Sequence, residues 1–456
     1  MARASDSRAL PGWPALVDPS PEAAALAGPA ALAGPAALAG PAALAEPEVP
    51  LRRTGLCALL AATARRYPAR VALIDAPDKP AWSGRPAMTW TYGAAAEIVS
   101  RLAGGLRAWR LPPGSRIGLA LPGSTEGLVA HLAVEAAGHV PCLLPTTWDE
   151  DQFAVGIEAA GVSAVLTQAR LGSASPAERL CRAAVRYFGL RYLAAFGPDI
   201  PDGVISLDEM VLDRRNGPVA AETGGGLISF VGGNPAEPVH RPGDALLAAI
   251  AVHLVATPVR PGERILSLLA PGDLRGVVSG LGAALVSGAS LETLPVFDGA
   301  ALAAALVRPV PTHLVLPAFL EPALARAALP DTLRTIVFAH RAPARLTDRS
   351  PRTAFARGRV AVVDVLAVDE DVVVSGTRGA DDLAFGLAEP ERLGLPASLL
   401  SLRLDADGRL ACRGQAAKAA PPRRGEAGEV DAAAWRPTRY RPTLFAGTAT
   451  GLAEAP

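Results

Sequence analysis

The stretch Leu227-Ile228-Ser229-Phe230-Val231-Gly232-Gly233-Asn234-Pro235-Ala236-Glu237-Pro238-Val239-His240-Arg241 has the layout of a loop that cradles an anion. An apolar run ends in a turn rich in Gly, Asn and Pro, and an Ala/Leu segment begins near Asp244, so the pattern predicts strand, loop and helix. Backbone N–H groups and a helix N-terminus would then face a phosphate. The side chains that would complete such a site are absent. Val231, Gly232 and Pro235 carry no side-chain donor, Pro235 has no backbone donor either, and Val239 carries no charge. Arg241, beside Pro242 at the start of the predicted helix, reads as an ordinary solvated residue.

Elsewhere the chemistry-bearing residues are scattered. The six histidines, at 131, 139, 240, 253, 313 and 340, show no metal-ligand spacing, and neither Gly-x-Ser-x-Gly nor His-Glu-x-x-His occurs. His131 and His313 lie in apolar surroundings and read as core or boundary residues. The acidic triplet Asp369-Glu370-Asp371 follows the apolar run Val360 to Leu366 and reads as a solvated loop. Gly280-Leu281-Gly282 lacks dinucleotide-fingerprint spacing and marks close helix packing. The basic run from Arg436 to Pro442, with Arg423-Arg424 upstream, reads as an exposed tail segment rather than a nucleic-acid site.

Bulk properties narrow the function classes. Lys+Arg and Asp+Glu both number 44 in 456 residues, so no overall field favours nucleic acid or an anionic membrane. Cys57, Cys142, Cys181 and Cys412 form no Cys-x-x-Cys pair, which argues against a disulfide framework and a structural zinc site. No uncharged stretch reaches the ~20 apolar residues of a membrane span, and Met1 to Leu10 is not followed by a signal-type apolar run, so the expected location is cytoplasmic. Residues 24–47 repeat Ala-Ala-Leu-Ala-Gly-Pro; a Gly-Pro pair in each copy stops helix propagation, and residues 1–50 are expected to be a disordered leader.

The elements that must position any site begin near Leu51. Leu56, Leu59, Leu60 and Ala64 recur at helical spacing, and a strand follows at Val71-Ala72-Leu73-Ile74. Thr91 is a candidate N-cap for a helix whose apolar face carries Ile98, Leu102, Leu106 and Trp109. Apolar runs at Arg116 to Leu121, His139 to Leu144 and Ser163 to Leu166 alternate with helical segments at Thr125 to Ala137 and Asp149 to Gly161. That alternation is the mark of βαβ crossovers, and it predicts an α/β fold with mostly parallel sheets.

Several segments carry a family resemblance. Trp90-Thr91-Tyr92-Gly93, the stretch Pro113 to Ser124, Ala137 to Pro145, Phe297-Asp298, Pro311 to Pro317 and Leu333 to Val337 resemble successive segments of the adenylate-forming superfamily, the AMP-binding, acyl-CoA synthetase-like enzymes. The resemblance implies that family's large N-terminal domain: two mostly parallel βαβ subdomains plus a reduced β-subdomain, over residues 51–452, with a short tail at 453–456. The sequence ends at Pro456 with no counterpart of the family's small C-terminal domain, so the chain is expected to be a degenerate member lacking it.

Carried over residue by residue, the resemblance argues against the family's reaction. In the family an aromatic precedes Thr-Ser-Gly-Thr-Thr-Gly, any residue, then Pro-Lys-Gly; here Phe230, Val231, Gly232, Gly233, Asn234, Pro235, Pro238 and Val239 keep the frame but lose the hydroxyls and the lysine. Each hydrogen bond to a charged group contributes on the order of 1.5–3 kcal/mol, so losing several weakens triphosphate binding by powers of ten. Glu370 matches the glutamate associated with Mg²⁺. Asp273 falls near the histidine of the acyl pocket, His240 and His340 map to loops lining the cleft, and Thr438 matches the ribose segment, where Tyr440 replaces a carboxylate. The resemblance implies ancestral ATP and Mg²⁺, with neither retained as an assured cofactor. The expectation is a pseudoenzyme that binds an acyl or carboxylate molecule, or an active paralogue or carrier protein. The alternatives are a divergent acyl-CoA or acyl-carrier-protein ligase working with a C-terminal domain in trans, and a structural subunit.

Overall fold

The computed structural model describes residues 55–212, 226–270, 272–345, 354–355, 359–378, 387, 390–392, 394–422, 431–445 and 448–455. The expected leader at residues 1–50 lies outside them. Strands are numbered along the chain: β1 Val71–Ile74, β2 Thr89–Thr91, β3 Arg116–Leu119, β4 Val140–Leu143, β5 Val162–Gln168, β6 Tyr192–Phe196, β7 Ile205–Ser206, β8 Gly226–Phe230 and β9 Pro238–Pro242. They continue with β10 Arg264–Ser267, β11 Ser290–Thr293, β12 Thr312–Pro317, β13 Leu333–Arg341, β14 Ala344–Arg345, β15 Ala361–Val368 and β16 Val372–Thr377. The last are β17 Ser401–Leu404, β18 Leu410–Arg413, β19 Arg436–Pro437, β20 Tyr440–Phe445 and β21 Thr448–Glu454.

Among the described residues the first large sheet has the order β16-β15-β13-β12-β10-β11-β1-β2, parallel except at its two edge pairs. The second runs β7-β6-β5-β3-β4-β8-β9, parallel except for β8 with β9. Two further sheets have three strands each, β14-β21-β20 and β17-β18-β19. The α/β class and the mixed, parallel-rich sheets are as the sequence predicts.

Period-2 alternation divides each sheet between two cores. From the first sheet, Ile265, Val315, Val337 and Val363 join the central core, while Leu266, Leu314, Ile336 and Val362 join an outer one. From the second, Ile117, Leu119 and Leu166 face the centre, whereas Cys142, Val165, Ile228 and Phe230 join a separate outer cluster. Helices fill the central layer. Every residue of the helix Thr125–Ala136 is buried, which explains why it shows no polar face. Thr91 caps its helix as expected, accepting a hydrogen bond from the Ala94 amide at 3.2 Å. Asp149 closes a full capping box with Gln152.

The structure corrects several expectations. The segment after Phe230 does not pass directly into a helix: Pro238–Pro242 turns back and pairs antiparallel with β8, and the helix Gly243–Ala256 starts only after it. Gly232 (φ +57°) and Gly233 (φ +81°) supply the left-handed backbone that this reversal requires. The acidic triplet is not a solvated loop, because Asp369 and Glu370 are buried. Arg241 is not solvated either, with 1% of its surface exposed. The basic run is no exposed tail: Arg436–Pro437 and Tyr440–Phe445 form strands, with Thr438 and Tyr440 buried.

Candidate functional site

The β8–β9 hairpin spends its polar groups on itself. The Val231 amide donates to the Glu237 carbonyl at 3.1 Å, Asn234 to Val231 at 2.8 Å, and Glu237 to Asn234 at 3.1 Å. The Asn234 side chain donates to Glu237 Oε1 at 2.8 Å and accepts from the Ala236 amide at 3.1 Å. Trp148 Nε1 donates to the Gly233 carbonyl at 2.9 Å, and its ring packs edge-on to Phe230 with centroids 4.7 Å apart. Val239 and Pro238 are buried as part of the hairpin ladder. With Pro235 lacking an N–H, only Gly232 and Gly233 remain as amide donors within the turn from 231 to 237.

Next to the hairpin, the turn after β15 is gripped from three sides. Glu370 Oε2 accepts from Ser229 Oγ of β8 at 2.8 Å, and Oε1 is paired with Arg341 at the end of β13. Arg341 Nη2 also lies 3.3 Å from Asp273 Oδ1. Asp369, in a left-handed conformation (φ +50°), accepts from Arg439 Nε at 2.9 Å and Tyr440 Oη at 2.9 Å. Arg241 donates from Nη2 to the carbonyls of Glu370 at 2.8 Å and Asp371 at 2.7 Å, and from Nη1 to that of Ala416 at 2.7 Å. Burial pushes the Glu370 carboxyl above the ordinary carboxylate range; the Arg341 charge opposes this and Asp273 adds to it. Arg275 and Arg341 hold Asp273 below its ordinary value against the effect of burial.

A cleft of about 400 Å³ opens beside this cluster, bounded by Leu268–Ala270, Asp273, Arg275, Pro317–Phe319 and Ala339–Arg341, with Ala344 and Arg345 at its edge. Of the four cleft candidates from the sequence, Asp273 and His340 meet here. His340 lies on β13 rather than in a loop, and its Nε2 is 3.0 Å from Asp364 Oδ1. Asp364 is in turn bound by the buried Arg378, which also pairs with Glu321 at 2.7 Å. His240 is placed elsewhere: it sits on β9, exchanges backbone hydrogen bonds with Ala420 at 2.8 and 3.0 Å, and is driven down to about 4 by burial and by Arg116 and Arg241. Thr438 lies between β19 and β20, and its hydroxyl accepts from the Tyr440 amide at 3.2 Å.

Sequence reasoning missed Arg341 and Ser229 and misread Arg241 and Arg439. A signal was available for Arg341, which directly follows the uncharged run Thr335 to His340, where a charge is placed at a strand end for a reason.

Mg-ATP does not fit the residues present. The turn that would wrap phosphates is closed by its own hydrogen bonds and carries the Glu237 carboxylate. The carboxylate that would face a metal is committed to Ser229 and a guanidinium. Among the described residues no group of three His, Cys, Asp or Glu side chains is placed to hold a metal ion, and no helix is long and apolar enough to cross a membrane.

Comparison with known proteins places the fold. No curated protein matches the sequence. Among solved structures, the anthranilate CoA ligase AuaEII in complex with anthranoyl-AMP matches with a TM-score of 0.68 at 14% identity, over 88% of this chain and 78% of that one. The N-terminal domain of FACL13 from Mycobacterium tuberculosis matches with a TM-score of 0.64 at 16% identity, over 88% of this chain and 100% of that one. A benzoate CoA ligase from Burkholderia xenovorans LB400 matches with a TM-score of 0.65 at 18% identity, over 88% and 80%. Residues 60–191 match the family model of AMP-binding enzymes, and the described body has the fold of the N-terminal domain of adenylate-forming enzymes.

Proposed function

We propose that this chain is a degenerate relative of the adenylate-forming ligases that holds a small acyl or aryl carboxylate in the 400 Å³ cleft without adenylating it. The observation that carries the reading is the contrast between two neighbouring regions: the cleft is open, while the phosphate turn beside it is closed on itself. Leu268, Leu269 and the exposed Phe319 give the cleft an apolar wall, and Arg275, Arg341 and Arg345 give it a cationic one. Three arginines against the carboxylates of Asp273 and Glu370 leave an excess of positive charge, which suits an apolar body ending in a carboxylate. The open cleft speaks against a purely structural subunit. A ligase completed in trans would require the hairpin to reopen and Glu370 to leave Arg341.

A thermal-shift panel tests the reading. Fatty and aromatic acids, acyl-CoAs, CoA, AMP and Mg-ATP are compared; a ligand at 100 times its Kd stabilises by about 2.7 kcal/mol. The expected result is stabilisation by at least one carboxylate, reduced in Arg345→Ala, and none by Mg-ATP. Stabilisation by Mg-ATP with no response to any acid overturns it.

A further inference from the structure

We infer that the Arg341 guanidinium is the resident cation of the Asp273–Glu370 pair, occupying the place a divalent metal would take, and that removing it makes the fold responsive to divalent cations. Three observations carry this. Two carboxylates from separate elements, Asp273 ahead of the helix Leu274–Gly276 and Glu370 in the turn after β15, converge on one side chain. Glu370 is 1% exposed, so its charge is met in the folded chain by Arg341 rather than by bulk solvent. Ser229 fixes the other Glu370 oxygen at 2.8 Å, so this carboxylate is oriented from the second sheet while its charge is met from the first.

Other cations nearby do not do the same work. Arg275 pairs with Asp273 alone, Arg439 with Asp369 and Glu237, and Arg241 reaches the Glu370 and Asp371 carbonyls rather than the Glu370 carboxylate. Arg341 is therefore the only cation recorded on the Glu370 carboxylate among the described residues. Truncating this guanidinium leaves a gap beside Glu370 Oε1 and Asp273 Oδ1, with Arg275 still paired to Asp273 and Ser229 still holding the other Glu370 oxygen. Mg²⁺ or Mn²⁺ takes such a place with one or two carboxylates, filling its remaining positions with water. Among the described residues the guanidinium fills that place, so the wild-type chain is expected to show no metal response. The inference stands apart from the carboxylate reading of the cleft, since no organic ligand enters its test.

The experiment compares wild type, Arg341→Ala and Arg341→Ala/Glu370→Gln by far-UV circular dichroism melting in EDTA and in 10 mM MgCl₂ or MnCl₂, with Mn²⁺ binding read independently by electron paramagnetic resonance. Wild type is expected to shift by less than about 1 °C with metal. Arg341→Ala is expected to melt about 4–6 °C lower in EDTA, as an uncompensated buried charge in a large domain implies, and to recover at least half of that loss with metal. The double variant is expected to lose the metal response and the Mn²⁺ signal. If Arg341→Ala does not fold in EDTA, Arg341→Met, which keeps the aliphatic stem, carries the comparison. A folded Arg341 variant without metal response, a double variant that still responds, or a wild-type chain already stabilised by metal overturns the inference.

Discussion

Replacing Arg241 by Met removes a cation that the structure buries almost completely while leaving an aliphatic stem in its place. The guanidinium donates to three main-chain carbonyls, Ala416 at 2.7 Å, Glu370 at 2.8 Å and Asp371 at 2.7 Å. Hydrogen bonds from a charged donor contribute about 1.5–3 kcal/mol each, a gross total of roughly 5–9 kcal/mol. The loss is partly offset, because Nε has no hydrogen-bond partner among the described residues and burial already depresses this arginine's basicity. Truncating one partner of a buried charged contact costs about 3–5 kcal/mol, which is the expected destabilisation. Urea unfolding followed by circular dichroism measures it. Hydrogen exchange should show faster opening at the amides of Asp371 and Ala416, in the two segments Arg241 ties to the hairpin. A loss below ~1 kcal/mol, the value for a solvated arginine, refutes the assignment.

Two further predictions rest on other parts of the core. Glu135 is buried against the helix Leu56–Arg66, where its carboxylate accepts the Cys57 amide at 2.9 Å; burial pushes its pKa from 4.5 up to about 7. Between those values the folded state binds the extra proton, so this group's contribution to stability falls as pH rises from 4.5 to 7, by about 3 kcal/mol. His131, His240 and His253, lowered to about 4, act in the opposite sense between pH 4 and 6.5, so the comparison must be with Glu135→Gln at each pH. The variant should gain about 3 kcal/mol relative to wild type between pH 5 and pH 8, and a pH-independent difference contradicts the assignment. At Gly282 an added Cβ would lie 2.3 Å from Ile250 Cδ1 and 3.0 Å from the Val277 carbonyl. Gly282→Ala should therefore cost about 1–3 kcal/mol, read as a lowered Tm; an unchanged Tm would show that the Ile250 tip yields freely.

The frame of the fold was legible because it is local. Thr91 and Asp149 announce helix starts by chemistry within three residues, and the alternation of apolar runs with helical segments gives the parallel sheets directly. The site was legible only in its frame. Asp369-Glu370-Asp371 looks solvated in a local window, yet Arg241, Arg341 and Arg439 lie 129, 29 and 70 residues from their partners in it. His240 and His340 looked equivalent for a similar reason: which strand end borders the cleft is decided by sheet order, which no single segment encodes. The hairpin was missed because Pro238 to Arg241 is short and its β character depends on pairing with Gly226 to Phe230.

The central claim is that the phosphate turn and Glu370 are committed to internal partners, and carboxylate-dependent ATP–pyrophosphate exchange tests it most directly. The chain is assayed with Mg²⁺, labelled pyrophosphate and each acid that shifts its melting temperature. The account predicts no exchange above the no-enzyme background for any acid. Exchange that depends on both the acid and Mg²⁺ contradicts it.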